Sequence, residues 1–198
     1  MIESTYEVAT QPAGLPVELA LVKQHCRISH DKEDTLLLGY IGAARDYFES
    51  HTNRTLICTT YKERWSCFPA DGTEIHLRFV PAMLPVVAIR YYDTANELQT
   101  LDASSYAAMS QGDGHSCVYH NDGSWPATYS RPDAVEIEYA AGHAEDSSGV
   151  PDKAKQCILM LVEHWNRNRS AVAVGQQVQE VPFAVKSLLA SCDAGLYV

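Results

Sequence analysis

The hydrophobic pattern of this chain changes period twice, and nothing else in the sequence constrains the fold as tightly. Leu37, Ile41, Ala44 and Phe48 fall on one stripe at helical spacing, widened by Leu36, Tyr40 and Tyr47, which predicts a core helix over 32–51. A shorter helix is predicted over 16–27, with Leu19, Val22 and Cys26 on one side. From Ile57 the pattern alternates. Ile75, Leu77 and Phe79 oppose Glu74, His76 and Arg78; Val87, Ile89 and Tyr91 repeat the rhythm, as do Val135, Ile137 and Tyr139 against Glu136 and Glu138. One apolar and one polar face per strand is the mark of antiparallel sheet. Helical spacing returns over 151–168 through Ala154, Cys157, Ile158, Leu161 and Trp165. It resumes from Pro182 with Val181, Val185, Leu188 and Leu189 on one side. The expected class is α+β: a small helical bundle formed by N- and C-terminal helices, with an antiparallel β-rich insertion between them. The expected divisions are an extended arm (1–15), N-terminal helices (16–56), the insertion (57–141) and C-terminal helices (150–191), all in one domain.

With 198 residues the chain is long enough for a core that needs no disulfide or metal support. A formal charge of −10 speaks against broad nucleic-acid binding, which depends on Lys and Arg neutralising phosphates. No basic region followed by an apolar run opens the chain, and Ile158 to Val162 is too short to span a bilayer, so a soluble cytosolic product is expected. The six cysteines form no CxxC pair and are expected to be reduced and buried.

The tightest group of ligand-type residues is His115, Cys117 and His120, flanked by Asp113 and Asp122. Thiolate and imidazole suit zinc or copper. On a strand, however, His115 and Cys117 face one way and His120 the other, so one ion would need a turn between them. A polar hairpin is the plainer reading, and a metal-dependent enzyme built on this cluster is the alternative. His25–Cys26, His30–Asp31 and His164 place no base beside a nucleophile, and neither GxSxG nor a phosphate-cradling glycine loop occurs. Glu136 and Glu138 share the polar face of one strand, as a solvated edge does. Arg167 and Arg169 suit capping of the last carbonyls of their helix. No catalytic residue, metal or cofactor is expected.

Several phrases, in order, resemble a known family. PVELALVKQHCRI and the following helix end in Thr52-Asn-Arg-Thr-Leu56. LPVVAIRYYDTANELQTLDASSY follows, then VEIEYAAGH with Tyr139, Ala141 and Gly142, a helix led by Val150–Pro151, and VQEVPFAVKSLL. Over roughly residues 15–191 this is similar to the head–tail connector (adaptor, head-completion) proteins of tailed bacteriophages, found also in prophages and gene transfer agents. Glu18 stands where such proteins often carry a Ser or Thr cap, and Asn53 where Gly is commoner. The resemblance implies a structural virion protein of the neck, assembled in the host cytoplasm, with another neck or tail-completion component as the alternative. It implies a homo-oligomeric ring, twelvefold on the portal protein, that docks after DNA packaging and offers a platform to the next neck, stopper or tail protein. DNA would pass the lumen without sequence-specific binding, and no membrane is involved. Val181, Pro182, Phe183, Val185, Lys186, Leu188 and Leu189 are the residues expected to meet the portal or a neighbouring subunit, with the apolar ones as anchors.

Overall fold

The structure is a computed structural model that describes residues 4–70, 72–110, 115–169 and 183–192. The chain divides into two compact units, Met1–Pro12 with Cys58–Gly142 and Ala13–Ile57 with His143–Val198. The described helices fall in the second and the described strands in the first, so the class is α+β with antiparallel sheets.

In the helical unit, α1 (Leu19–Cys26), α2 (Asp34–Thr52), α3 (Asp152–Arg167) and α4 (Phe183–Cys192) share one core. The α2 stripe of Leu37, Ile41, Ala44 and Phe48 meets Ala154, Cys157, Ile158, Leu161 and Val162 of α3, with Val22 from α1. Tyr40 and Tyr47 pack beside Trp165 at centroid distances of 6.3 and 6.2 Å. Glu18 occupies the N-cap of α1 and makes no side-chain capping bond, as a residue other than Ser, Thr, Asp or Asn should. Asn53 closes α2 in the left-handed region, φ 52°, a conformation Asn tolerates beside Gly. Pro151 sits at the N-cap of α3 rather than inside its first turn, and its carbonyl accepts from Ala154 N at 2.9 Å.

The β unit holds two sheets. Strands β1 (Ser4–Thr10), β2 (Thr59–Trp65), β4 (Ala82–Tyr92), β5 (Leu98–Thr100) and β8 (Val135–Ala141) form a five-stranded sheet in the order β1-β2-β8-β4-β5. Strands β3 (Ile75–His76), β6 (Tyr106–Ser110) and β7 (Ser116–His120) form a smaller one, β3-β7-β6. Ile75, Leu77 and Val118 join Tyr61, Ile89, Val135, Ile137 and Tyr139 in one core. The extended N-terminal segment is a strand of the larger sheet, Ser4 opposite Trp65 through Thr10 opposite Thr60. Only Ile75 and His76 of the predicted 74–79 run are ladder-paired strand. Gly142, at φ 149°, ends β8 in a region that favours glycine and donates its N–H to the Pro81 carbonyl at 2.9 Å.

Candidate assembly surfaces

Strand β8 lies at the centre of its sheet, which corrects the expectation that Glu136 and Glu138 mark a solvated edge. Arg64 Nε donates to Glu136 at 3.1 Å, and Arg90 Nη1 donates to Glu136 at 3.1 Å and Glu138 at 2.8 Å. Arg64 Nη2 also reaches Glu7 of β1 at 2.8 Å. The two carboxylates are thus occupied by cross-strand pairs, on one face of three adjacent strands.

The opposite face carries a residue that the sequence reading passed over. Glu63 is fully buried, in register with Ile137, which is in turn opposite Ile89. Its Oε1 accepts from Arg78 N at 3.0 Å and from the Tyr139 hydroxyl, which itself accepts from Phe79 N at 3.0 Å. Oε2 is buried without a hydrogen-bond partner. Burial pushes the Glu63 carboxyl up to about 7, and burial together with the Glu63 charge raises Tyr139. The signal was present in the alternation Tyr61, Glu63, Trp65, which puts a carboxylate on the apolar side.

The His115, Cys117 and His120 cluster does not converge. Strand β7 runs unbroken from Ser116 to His120, without the turn a shared ion would require. Cys117 is buried with its thiol 3.4 Å from Glu74 Oε2, while His120 Nδ1 accepts from Asp122 N at 3.3 Å and its ring packs on Trp125. Asp113 lies outside the described residues. Among the described residues no group of three or more His, Cys, Asp or Glu is placed to hold a metal ion. His25 Nε2 lies 3.1 Å from Glu163. Arg169 does donate to the Asn166 carbonyl at 3.1 Å, whereas Arg167 instead pairs with Glu163 at 2.7 Å. Cys117 and Cys157 are buried, whereas Cys67 is exposed and Cys26, Cys58 and Cys192 are half-buried, against the expectation of burial.

The predicted C-terminal anchors separate. Val181 and Pro182 lie outside the described residues. Val185 and Leu189 are buried in the core of their own helical unit and Leu188 packs against it, so these three do not stand free as anchors. The reason is helical period: 185, 188, 189 and 192 form one stripe, and α2 and α3 supply the apolar surface that covers it. Lys186 and Phe183 are exposed, Phe183 at 85%. Arg54 holds the other end of α4, its Nε donating to the Cys192 carbonyl at 2.6 Å. That bond gives the Thr52–Leu56 phrase a physical role alongside the α2 cap. In the same phrase Leu56 N donates to Glu49 at 2.8 Å, and burial takes the Glu49 carboxyl up to about 7.

Two further surfaces are open. In the β unit the β4 ladder breaks between Met83 and Ala88, and Met83, Leu84 and Val87 are exposed around the break. In the helical unit a groove of about 390 Å³ lies between α1 and a short turn at Ser147–Gly149.

Residues 16–117 match the family described as phage gp6-like head-tail connector protein. The chain belongs to that family. It is a structural head–tail connector protein. No curated protein matches it. Among solved structures, the connector superposes on a chain of the neck of an empty GTA particle computed with C6 symmetry. That pair has a TM-score of 0.80 and 21% identity, covering 98% of this chain and 97% of the other. A chain of the virion of a native gene transfer agent particle gives 0.78 at 20% identity, with coverage of 98% and 97%. A chain of the neck of a native GTA particle computed with C12 symmetry gives 0.71 at 20% identity, with coverage of 100% and 97%. At these identities the likeness is one of fold, and it takes in α3 and α4, which the family match does not reach.

Proposed function

We propose that this connector assembles as a ring of identical subunits, twelvefold on the portal protein, and provides the docking platform for the next neck or tail protein. It is made in the host cytoplasm, joins the virion neck after DNA packaging and carries out no catalysis. The single observation that carries this reading is the near end-to-end likeness to chains in neck structures computed with sixfold and twelvefold symmetry, joined to the family membership. The −10 charge suits a lumen through which DNA slides without being held. Helices on either side of the β insertion complete one bundle in this reading, supported by the shared core of α1 to α4.

The outward anchor of the C-terminal segment is Phe183 with Lys186; Val185, Leu188 and Leu189 hold α4 to its own unit. The test mixes purified connector with portal rings and measures the mass of the product. Connector bound in a stoichiometry set by the portal ring is the expected result. A connector that leaves the portal unshifted at every concentration overturns the reading.

A further inference from the structure

Glu63 and Arg78 touch each other, yet each keeps a polar atom unpaired. Arg78 donates its backbone N–H to Glu63 Oε1 at 3.0 Å. Glu63 Oε2, an acceptor, and the Arg78 Nε–H, a donor, are both buried without a hydrogen-bond partner. The Arg78 side chain is engaged elsewhere. Its guanidinium carbon lies 5.1 Å from the centre of the Tyr6 ring and 5.9 Å from that of Phe79, within reach of the attraction between a cation and an aromatic face.

Those rings belong to the attachment of an edge strand. Tyr6, 50% exposed, meets Phe79 edge-on at 4.8 Å, and Phe79 stacks on Tyr61 at 3.9 Å. Tyr6 and Val8 are thus the side chains that hold β1 to this face of the larger sheet, where β1 is the outermost strand.

The charge on Glu63 decides what Arg78 gains by moving. Tyr6 of β1 stands opposite the carboxyl in register, Tyr61 beside it on β2, and Tyr139 of β8 donates to it. Ile137 of β8 and Ile89 of β4 continue the row. Among these groups Arg78 is the one formal charge. A neutral carboxyl offers its guanidinium little. A carboxylate in this apolar row is costly unless a cation pairs with it, and Arg78 is the cation at hand. Burial places the Glu63 value at about 7, so both forms are populated in the neutral range.

We propose that ionisation of Glu63 turns the Arg78 side chain inward onto Oε2 and takes the cation away from Tyr6, which loosens β1. The device is a proton-controlled hold on an edge strand, tight with Glu63 neutral and loose with Glu63 charged. It is independent of the ring reading.

Nuclear magnetic resonance of the full chain, titrated from about pH 5.5 to about pH 8.5, tests it. The Arg78 Nε–H and Tyr6 ring signals are expected to move together with a midpoint near 7. Exchange protection of the β1 amides, corrected for the intrinsic effect of pH, falls about two- to fivefold over the same range. Glu63→Gln, which cannot ionise, holds all three readings at their low-pH values. Arg78→Gln leaves the Tyr6 signals without the titration and β1 in its loose state at every pH. The wild-type titration stands by itself should either variant fail to fold. Arg78 Nε–H and Tyr6 signals that stay fixed across the range, or that titrate unchanged in Glu63→Gln, overturn the proposal.

Discussion

Glu63 is a carboxylate in a row of isoleucines, and its environment sets a sign for the pH dependence of the β unit. Burial favours the protonated form and raises the folded-state value to about 7, above the ordinary 4.5. Between those values the folded state binds more protons than the unfolded one. Stability therefore falls as pH rises from about 4.5 to about 7 and stays low above that. The cost is roughly 3 kcal/mol, with the Tyr139 and Arg78 hydrogen bonds already holding the value down against burial. Glu63→Gln should flatten the loss for the β unit, read as the melting temperature of wild type and variant from pH 5 to pH 8. A variant with the wild-type slope would remove Glu63 as its source. Glu49 carries the same sign in the helical unit, so Glu49→Gln is the matching control. The lowered carboxyls, such as Asp93 and Asp133, act in the opposite sense and at lower pH. Phe183 is the residue to which the proposed function gives the anchor role. Phe183→Asp, at an exposed position, should leave the unfolding free energy within about 0.5 kcal/mol of wild type while removing assembly. A stable variant that assembles normally would discard the anchor.

At the scale of elements, α4 is held by two devices of different chemistry. Val185 and Leu189 give apolar burial, and Arg54 gives a charged hydrogen bond to the last carbonyl. Leu189→Ala is expected to destabilise the helical unit by about 2–5 kcal/mol, and Arg54→Met by about 1–3 kcal/mol. Amide exchange in α4 should rise in both, and unchanged protection in Arg54→Met would mean that the bond contributes nothing. The two long helices were legible because each repeats an apolar stripe over about three turns. The class was legible from the change of period. Strand order was not, since alternation reports which face is buried and says nothing of neighbours. Thus β1, without any strong alternation of its own, pairs with β2, and β8 lies between β2 and β4. The fate of the C-terminal anchors was half legible. Period placed 185, 188 and 189 together, but whose surface covers them depends on α2 and α3, far away in sequence.

For the whole molecule, the −10 charge speaks against broad nucleic-acid binding, and the role was legible only through the ordered phrases that resemble a known family. The family match makes the chain a head–tail connector, and the portal as its partner belongs to the proposed function. The most direct test is electron cryo-microscopy of portal-bearing heads incubated with the purified connector, reconstructed without imposed symmetry. The account predicts a closed ring of identical subunits seated on the portal, with density for the whole chain around a central channel. Heads with an uncovered portal, or connector attached as isolated copies away from the portal axis, would contradict it.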